Sequence, residues 1–407
     1  MKLARAIIAL CIVVLPVQAQ DTTLAPWGRE VIASTKLNEQ RTVLVATPDD
    51  YRGSKERYPV LLLLDADDRA QFGLAVANVR FLASRNTIPG LIVVGVVNGK
   101  DRTHDLTPTA LGSAAKTFPT AGGASQFAAF LADEVLPLVR AKYRTLPTTI
   151  LAGHSFGGLF ALHVAATRPG TFQAIIAMSP SLWWNDSANV VTFADQIARV
   201  GVPQRIFATS GGLEAEIDRT TQRFVGRIDS LKPSTLAFSY RRYADDTHGL
   251  TPAPSLVDGL RFVFEPVSLN RLAIARLGPN SDSAAVVRAV IEAESAYARG
   301  ARSLGLSELL PEQVLNQLGY GVLQALKKPD LAIWVFRRNV ALYPESANVY
   351  DSLADALIAK GDSAAARVEL RRAVDIATRT GQPTLAESRR KLQELEHTAP
   401  AGAPKQD

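Results

Sequence analysis

Apolar residues along this chain follow two rhythms, and the change from one to the other comes near residue 267. Up to that point, short apolar runs alternate with stretches of helical spacing. Residues 60–64 and 91–97 are solid apolar runs, as expected of strands covered on both faces of a sheet. Segments 30–34 and 41–46 read as strands before them, and 148–152, 174–178, 205–209 and 236–243 continue the series. Residues 126–143 place Phe127, Phe130, Leu131, Val135 and Leu138 at helical spacing, with Pro137 predicting a kink. Further helices are expected near 159–167, 191–200 and 217–231. Strands alternating with helices predict an α/β fold with a mostly parallel central sheet.

Beyond Pro266 the strand rhythm stops and the chain becomes helical and alanine-rich. Ala332 and Ala366, Phe336 and Leu370, and Leu323 and Leu357 are each 34 residues apart, which is the tetratricopeptide period. Pro344 closes one copy; Tyr350, Leu353 and Ala354 open the next, and Gly361-Asp362 makes its turn. Leu318-Gly319 fits one residue out of register, which predicts an extra residue near Lys328-Pro329. Two copies and a helix at 383–395 are fewer than the three or more repeats that usually stand alone. A small all-α module that packs on the first domain or on a second subunit is therefore expected. The domain plan is a signal peptide at 1–19, an α/β domain at 20–267, a linker and helix at 268–310, tetratricopeptide-like repeats at 311–396 and a disordered tail at 397–407.

The first residues carry their own pattern. Lys2 and Arg5 precede an apolar stretch at 6–15 too short to span a bilayer, and Val17-Gln18-Ala19 ends in the small residue expected at a signal cleavage site. This reads as an export signal to the periplasm or beyond. Cys11, the single cysteine, lies inside it, so the mature chain is expected to hold its core by burial alone. With 47% hydrophobic and 21% charged residues the chain is globular in composition, and loss of Lys2 and Arg5 lowers the formal charge from +6 to a mild +4. Arg337-Arg338, Arg371-Arg372 and Arg389-Arg390 fall in helical stretches, where they read as solvated faces, and no nucleic-acid partner is indicated. No later apolar stretch reaches membrane-spanning length.

Candidate chemistry enters at Gly153-His154-Ser155-Phe156-Gly157, a G-x-S-x-G sequence between the apolar run 148–152 and the helical stretch 159–167. A sharp strand-to-helix turn of this kind presents a serine nucleophile, and eight strands with the turn after the fifth are the α/β-hydrolase arrangement. Serine needs a base, and the base needs a group to orient it. Of five histidines, His104 precedes the serine, His154 lies in the turn facing away from it, His163 follows on the same helix and His397 is in the polar tail. His248, in the loop after the eighth strand, remains as the base. The acid is expected after the penultimate strand, where Glu214 is the first choice, with Glu216, Asp218, Asp245 and Asp246 as competitors and a Ser/His dyad as the fallback. Two backbone N–H groups should form the oxyanion hole, those of Phe156 and Ala66. Asp65, Asp67 and Asp68 are hard-metal ligands in type, but without calcium-loop glycine spacing or an H-E-x-x-H sequence neither a metal nor another cofactor is expected.

With these residues in place the chain resembles the esterase family that includes the ferric enterobactin trilactone esterases. The resemblance is carried by residues 61–65, by 94–108 with Asn98, Arg102, Asp105, Leu106, Thr107 and Pro108, by the turn at 153–158, by Ser179-Pro180-Ser181-Leu182-Trp183-Trp184, and by His248-Gly249 followed by 258–262. It spans about residues 25 to 266 and implies carboxylic ester hydrolysis. It also implies that Arg102 lies by the active site, able to contact acidic or catecholate ligands; a structural clamp to Asp105 is the alternative. Trp183 and Trp184 offer an aromatic wall, or a core contact by one of the pair.

Two departures stand out: Ala66 replaces the glycine of many members, and Arg102 and Lys100 are the only basic residues assignable to the pocket. The family also holds carbohydrate esterases and acyltransferases. The leading expectation is an exported serine esterase acting on a small-molecule ester such as a siderophore lactone or an acylated sugar. An acyltransferase is one rival. The other is a non-catalytic binding protein whose helical repeats recruit a protein partner or self-associate.

Overall fold

The solid apolar runs form the middle of one eight-stranded sheet. Its strands are β1 (Gly28–Ser34), β2 (Glu39–Ala46), β3 (Tyr58–Leu63), β4 (Ile92–Val96), β5 (Thr145–His154), β6 (Ala174–Met178), β7 (Gln204–Gly211) and β8 (Leu236–Tyr243). They lie in the order β1-β2-β4-β3-β5-β6-β7-β8. β2 pairs antiparallel with both β1 and β4, and every other pairing is parallel. The structure, a computed structural model, describes residues 27–52, 55–269, 272–278 and 280–397. The expected signal peptide at 1–19 lies outside the described residues, as does the expected tail apart from His397.

All eight expected strands are present, and β5 is longer than its apolar run because polar residues at 145–149 continue the pairing with β3. Helices cover both faces of the sheet: α1 (Arg69–Ser84), α2 (Arg102–Leu106), α3 (Gly112–Thr117), α4 (Ala124–Phe130), α5 (Leu136–Lys142), α6 (Phe156–Thr167), α7 (Ala188–Arg199), α8 (Ala215–Leu231) and α9 (Pro252–Val263). Strand pleating divides the core in two. Val60, Leu62 and Leu64 join Phe127, Phe160 and Phe193 on one face, while Leu61 and Leu63 join Phe72 and Leu260 on the other. The kink expected at Pro137 is a π-helical turn, Leu131–Val135, between α4 and α5. A wider turn absorbs the hydrogen bond that proline cannot donate.

Six helices follow: α10 (Ser283–Ser303), α11 (Glu312–Gln324), α12 (Pro329–Leu342), α13 (Ala347–Lys360), α14 (Ser363–Thr380) and α15 (Leu385–His397). Ala332 and Ala366, and Phe336 and Leu370, are all fully buried, while of the third pair Leu357 is buried and Leu323 half-buried. The connection 325–328 is two residues longer than 361–362, where one extra residue was expected. A polar clamp ties these helices together, with Lys391 bonded to Asp351 at 2.5 Å and Asp355 at 2.8 Å. The core on the α1 and α9 face runs without a break from Leu61 through Val286 and Val290 to Phe336 and Leu370. The helical region is therefore seated on the sheet domain. At the junction the Thr148 hydroxyl of β5 donates to the Leu304 carbonyl. Gly300 of α10 passes so close to Pro266 that an added Cβ would stand 2.0 Å from its carbonyl oxygen.

Gly300→Ala tests that seating. Alanine normally favours a helix over glycine by about 1 kcal/mol, but here the backbone oxygen at 2.0 Å forces the helix away from the sheet domain. Net destabilisation of about 1–3 kcal/mol is expected in urea unfolding. A gain in stability would show that the two parts do not pack as described.

Candidate active site

β5 ends at the carboxyl edge of the sheet, and the chain turns into α6 with Ser155 at φ 59°, ψ −118°. Such a backbone costs a non-glycine residue on the order of 1–3 kcal/mol, and the surrounding contacts must hold it. A Cβ on Gly153 would lie 2.3 Å from the Gly157 carbonyl oxygen, and one on Gly158 would lie 3.0 Å from that of Met178. Glycine is therefore required at 153, and a side chain at 158 would press on the Met178 and Pro180 backbone. The Ser155 N–H donates to the Met178 carbonyl at 3.0 Å, which fixes the turn on β6.

Two loops of the same edge meet beside it. Glu214 opens α8 just past β7, and its Oε2 is 2.5 Å from His248 Nδ1 in the loop after β8. Its other oxygen accepts from the Ser179 hydroxyl at 2.5 Å and from the Gly211 N–H. Burial by itself would raise the Glu214 pKa, but hydrogen bonds from His248, Gly211 and Ser179 outweigh it and hold the carboxyl below its ordinary value. Ser179 bonds also to Thr251 Oγ1 at 2.8 Å, and Thr251 donates to the His248 carbonyl at 3.0 Å. Of the competing acids, Asp218 bonds Ser210 and Arg242 and Glu216 is exposed beside Arg219, while no bond from the Asp245 or Asp246 carboxylate to His248 is among those formed by the described residues.

Among the described residues, the Ser155 hydroxyl's partner is Ser181 Oγ at 3.2 Å, and the Ser181 N–H donates to the Ser155 carbonyl at 3.1 Å. A bond from Ser155 to His248 is not among those formed. Contacts between nucleophile and base are often loose without substrate and tighten in the complex. The other histidines are accounted for: His104 Nδ1 is 2.6 Å from the Thr120 carbonyl, His163 is buried near Ser125, and His397 ends α15. His154 is engaged with the loop of His248. Its ring lies 4.3 Å from that of His248, and its Nε2 is 2.9 Å from the His248 carbonyl oxygen.

Several expectations need correction. Ala66 is not a free oxyanion donor: it is fully buried and its N–H donates to the Val96 carbonyl at 3.0 Å, because sheet pairing persists beyond the end of β3. The Asp67 N–H next along the loop has no acceptor among the described residues. Phe156, at the first position of α6, keeps an amide that the helix cannot pair. Arg102 is clamped, but to Asp65 rather than Asp105, through bonds of 2.5 Å and 2.9 Å. Asp105 instead meets the buried Arg41 of β2 at 2.6 Å. Asn98 donates to Asp65 as well, at 2.8 Å.

Trp184 has no exposed surface and belongs to the core, so it cannot line a substrate wall. Trp183 is half-buried and joins Phe118 and Phe156, with ring centroids 5.8–6.2 Å from its own. Arg102 lies 5.8 Å from the centre of the Phe156 ring, while Lys100 is exposed. The three aspartates serve separate ends: Asp65 holds Arg102, Asp67 accepts from the Asn98 N–H at 3.3 Å, and Asp68 caps α1. Ser179, Ser181, Phe118 and the ring contact of His154 were missed from sequence. Both serines lie in the stretch 179–184 that carries the family resemblance, whereas nothing local marks Phe118 as part of the site.

A strained serine after β5, with a carboxylate-bonded histidine at the same sheet edge, defines an α/β-hydrolase of the serine esterase class. Residues 34–224 match the family described as "Putative esterase". The siderophore enterobactin esterase of Emericella nidulans is 28% identical over 241 residues, covering 48% of this chain and 80% of that one. The ferri-bacillibactin esterase of Bacillus subtilis is 29% identical over 268 residues, covering 59% of this chain and 90% of that one. Among solved structures, an IroE-like serine hydrolase from Shewanella oneidensis is 25% identical with a TM-score of 0.64, covering 77% of this chain and 98% of that one. An uncharacterised protein from Capnocytophaga ochracea, 16% identical with a TM-score of 0.59, shares the fold over 91% of this chain and 100% of its own.

Replacing Glu214 with Gln is expected to lower turnover on the order of 10³–10⁴-fold with the far-UV spectrum unchanged. A pH effect accompanies it. Because the folded-state pKa lies below the ordinary 4.5, the carboxylate's contribution to stability is complete above that value and is lost as pH falls through the folded-state value. Wild type should therefore be the more stable protein in urea above pH 4.5, and the two curves should converge on further acidification.

Proposed function

We propose that Ser155, His248 and Glu214 act as the catalytic triad of an esterase. The observation that carries this reading is the 2.5 Å contact of His248 with a buried, three-fold hydrogen-bonded Glu214 beside the strained serine. His248 Nε2 takes the proton as Ser155 Oγ attacks the ester carbonyl, and the tetrahedral oxyanion is held by the Phe156 N–H and by the Asp67 N–H in place of Ala66. Collapse breaks the C–O bond, and the imidazolium protonates the leaving alcohol. Water, activated by the same histidine, then releases the acid and regenerates the serine. Glu214 fixes the tautomer and stabilises the transient imidazolium.

The aromatic side formed by Phe118, Phe156 and Trp183 supports a substrate that brings an aryl or apolar acyl group to the serine. Arg102 stands at its edge already neutralised by Asp65, which suits orientation of a polar or catecholate group more than capture of a free anion. Together with the names borne by the relatives, this favours an aryl-bearing siderophore lactone. The signal-like residues 1–19 support export to the periplasm or beyond. No helix of the described residues is long and apolar enough to cross a membrane. The 34-residue correspondences support a tetratricopeptide-like reading of α11–α14, a scaffold suited to a protein partner or to self-association.

Ser155→Ala is expected to reduce turnover on the order of 10⁶-fold while leaving the fold intact. Of a ferric siderophore lactone, an acetylated or feruloylated sugar and short-chain nitrophenyl esters, the lactone should show the highest kcat/KM. Wild-type turnover in the alanine variant would overturn the triad, and a preference for the sugar ester would overturn the substrate reading.

A further inference from the structure

His154 was set aside as a base on the expectation that it faces away from Ser155, yet it is the residue joined both to the nucleophile's backbone and to the loop of the base. Its Nε2 reaches the His248 carbonyl oxygen at 2.9 Å. The two rings lie 4.3 Å apart with planes inclined by 37°. A carbonyl cannot donate, so the shared proton belongs to His154 Nε2. Thr251, the other donor to that carbonyl at 3.0 Å, holds it from α9's side.

We propose that His154 is a positioning residue for the base: by donating its Nε2–H to the His248 carbonyl and laying its ring against the imidazole, it keeps the loop after β8 in register with Ser155. The inference rests on the triad reading above. Its physical basis is that Glu214 fixes only one end of the His248 ring and Thr251 holds the carbonyl from α9's side, so that neither contact references the base to β5 and the loop keeps a pivot relative to the nucleophile. The bond from residue 154, directly before the nucleophile on β5, removes that pivot and ties the distance between base and serine to the turn itself. Misplacement of a catalytic group by about 1 Å can cost on the order of 10²-fold in rate.

The surroundings keep His154 suited to this task. Burial, and then the proximity of His248, depress its pKa to about 4. The charged or titratable groups near it are His248, Asp65 and Glu214, with the Arg102 guanidinium 3.4 Å from its carbonyl. A neutral ring avoids setting a second positive charge beside the imidazolium that forms on His248.

Three variants and one measurement on the intact protein test the proposal. His154→Ala should lower kcat and the rate of labelling by a fluorophosphonate on the order of 10- to 100-fold, with KM within about twofold. His154→Gln, which retains an N–H at similar reach, should recover most of the loss, whereas His154→Phe, which retains only the ring, should not. Independently of folding in any variant, nitrogen NMR of the wild-type protein should find the His154 proton on Nε2 and none on Nδ1 at neutral pH. Wild-type kcat in the alanine variant, recovery by Phe but not Gln, or a proton on Nδ1 alone would each overturn the proposal. Failure of the wild-type protein to label at all would instead overturn the triad, and this inference with it.

Discussion

Holding Ser155 in its strained backbone requires β5, α6 and β6 to approach to contact distance, which glycine at 153 permits and glycine at 158 eases. Much of the site follows from this closeness. The Met178 carbonyl takes the serine's N–H, so the chain leaving β6 is brought over the turn, where the Ser181 backbone and hydroxyl both bond to Ser155. The start of α6 faces the loop after β3, where a Cβ on Gly157 would be 3.3 Å from Asp65 Oδ2. Loops after β3 and β6 are thus referenced to the one turn after β5, as expected where functional groups collect at the carboxyl edge of a parallel sheet.

A second consequence concerns charge. Glu214 stays ionised although buried, because three donors from three separate segments converge on it. Asp65 and Arg102 neutralise each other in a two-point contact that also fixes α2. The rim around the serine is consequently built from compensated pairs and aromatic rings and presents little free charge. Selectivity in such a pocket comes from shape and from the orientation of polar groups rather than from net attraction.

The eight strands, the elbow and the pairing of His248 with Glu214 were legible because each depends on a local signal: a solid apolar run, a glycine pattern, or a position in strand order. What was misread depends on contacts between segments distant in sequence. Nothing local to Ala66 reveals that the Val96 carbonyl claims its amide, since pairing beyond the last apolar residue of β3 is decided by β4. Arg102 and Asp105 are close in sequence, yet each is claimed by a partner from a distant segment, Asp65 for the one and Arg41 for the other. Trp183 and Trp184 differ by one residue, and the turn after β6 sends only the first toward the surface. Ser179 could not be singled out, although it links the acid to Thr251.

The unbroken apolar core between the sheet domain and the helices beyond residue 267 has a bearing on how this chain can be handled. Phe264, Val267 and Leu272 lie in the same cluster as Leu63 and Val290. Cutting between the two parts would therefore bare a greasy seam on each. The pieces would tend to clump rather than work alone. Melting should run through both as one event, so the sheet domain and its helical companion are to be handled as one piece.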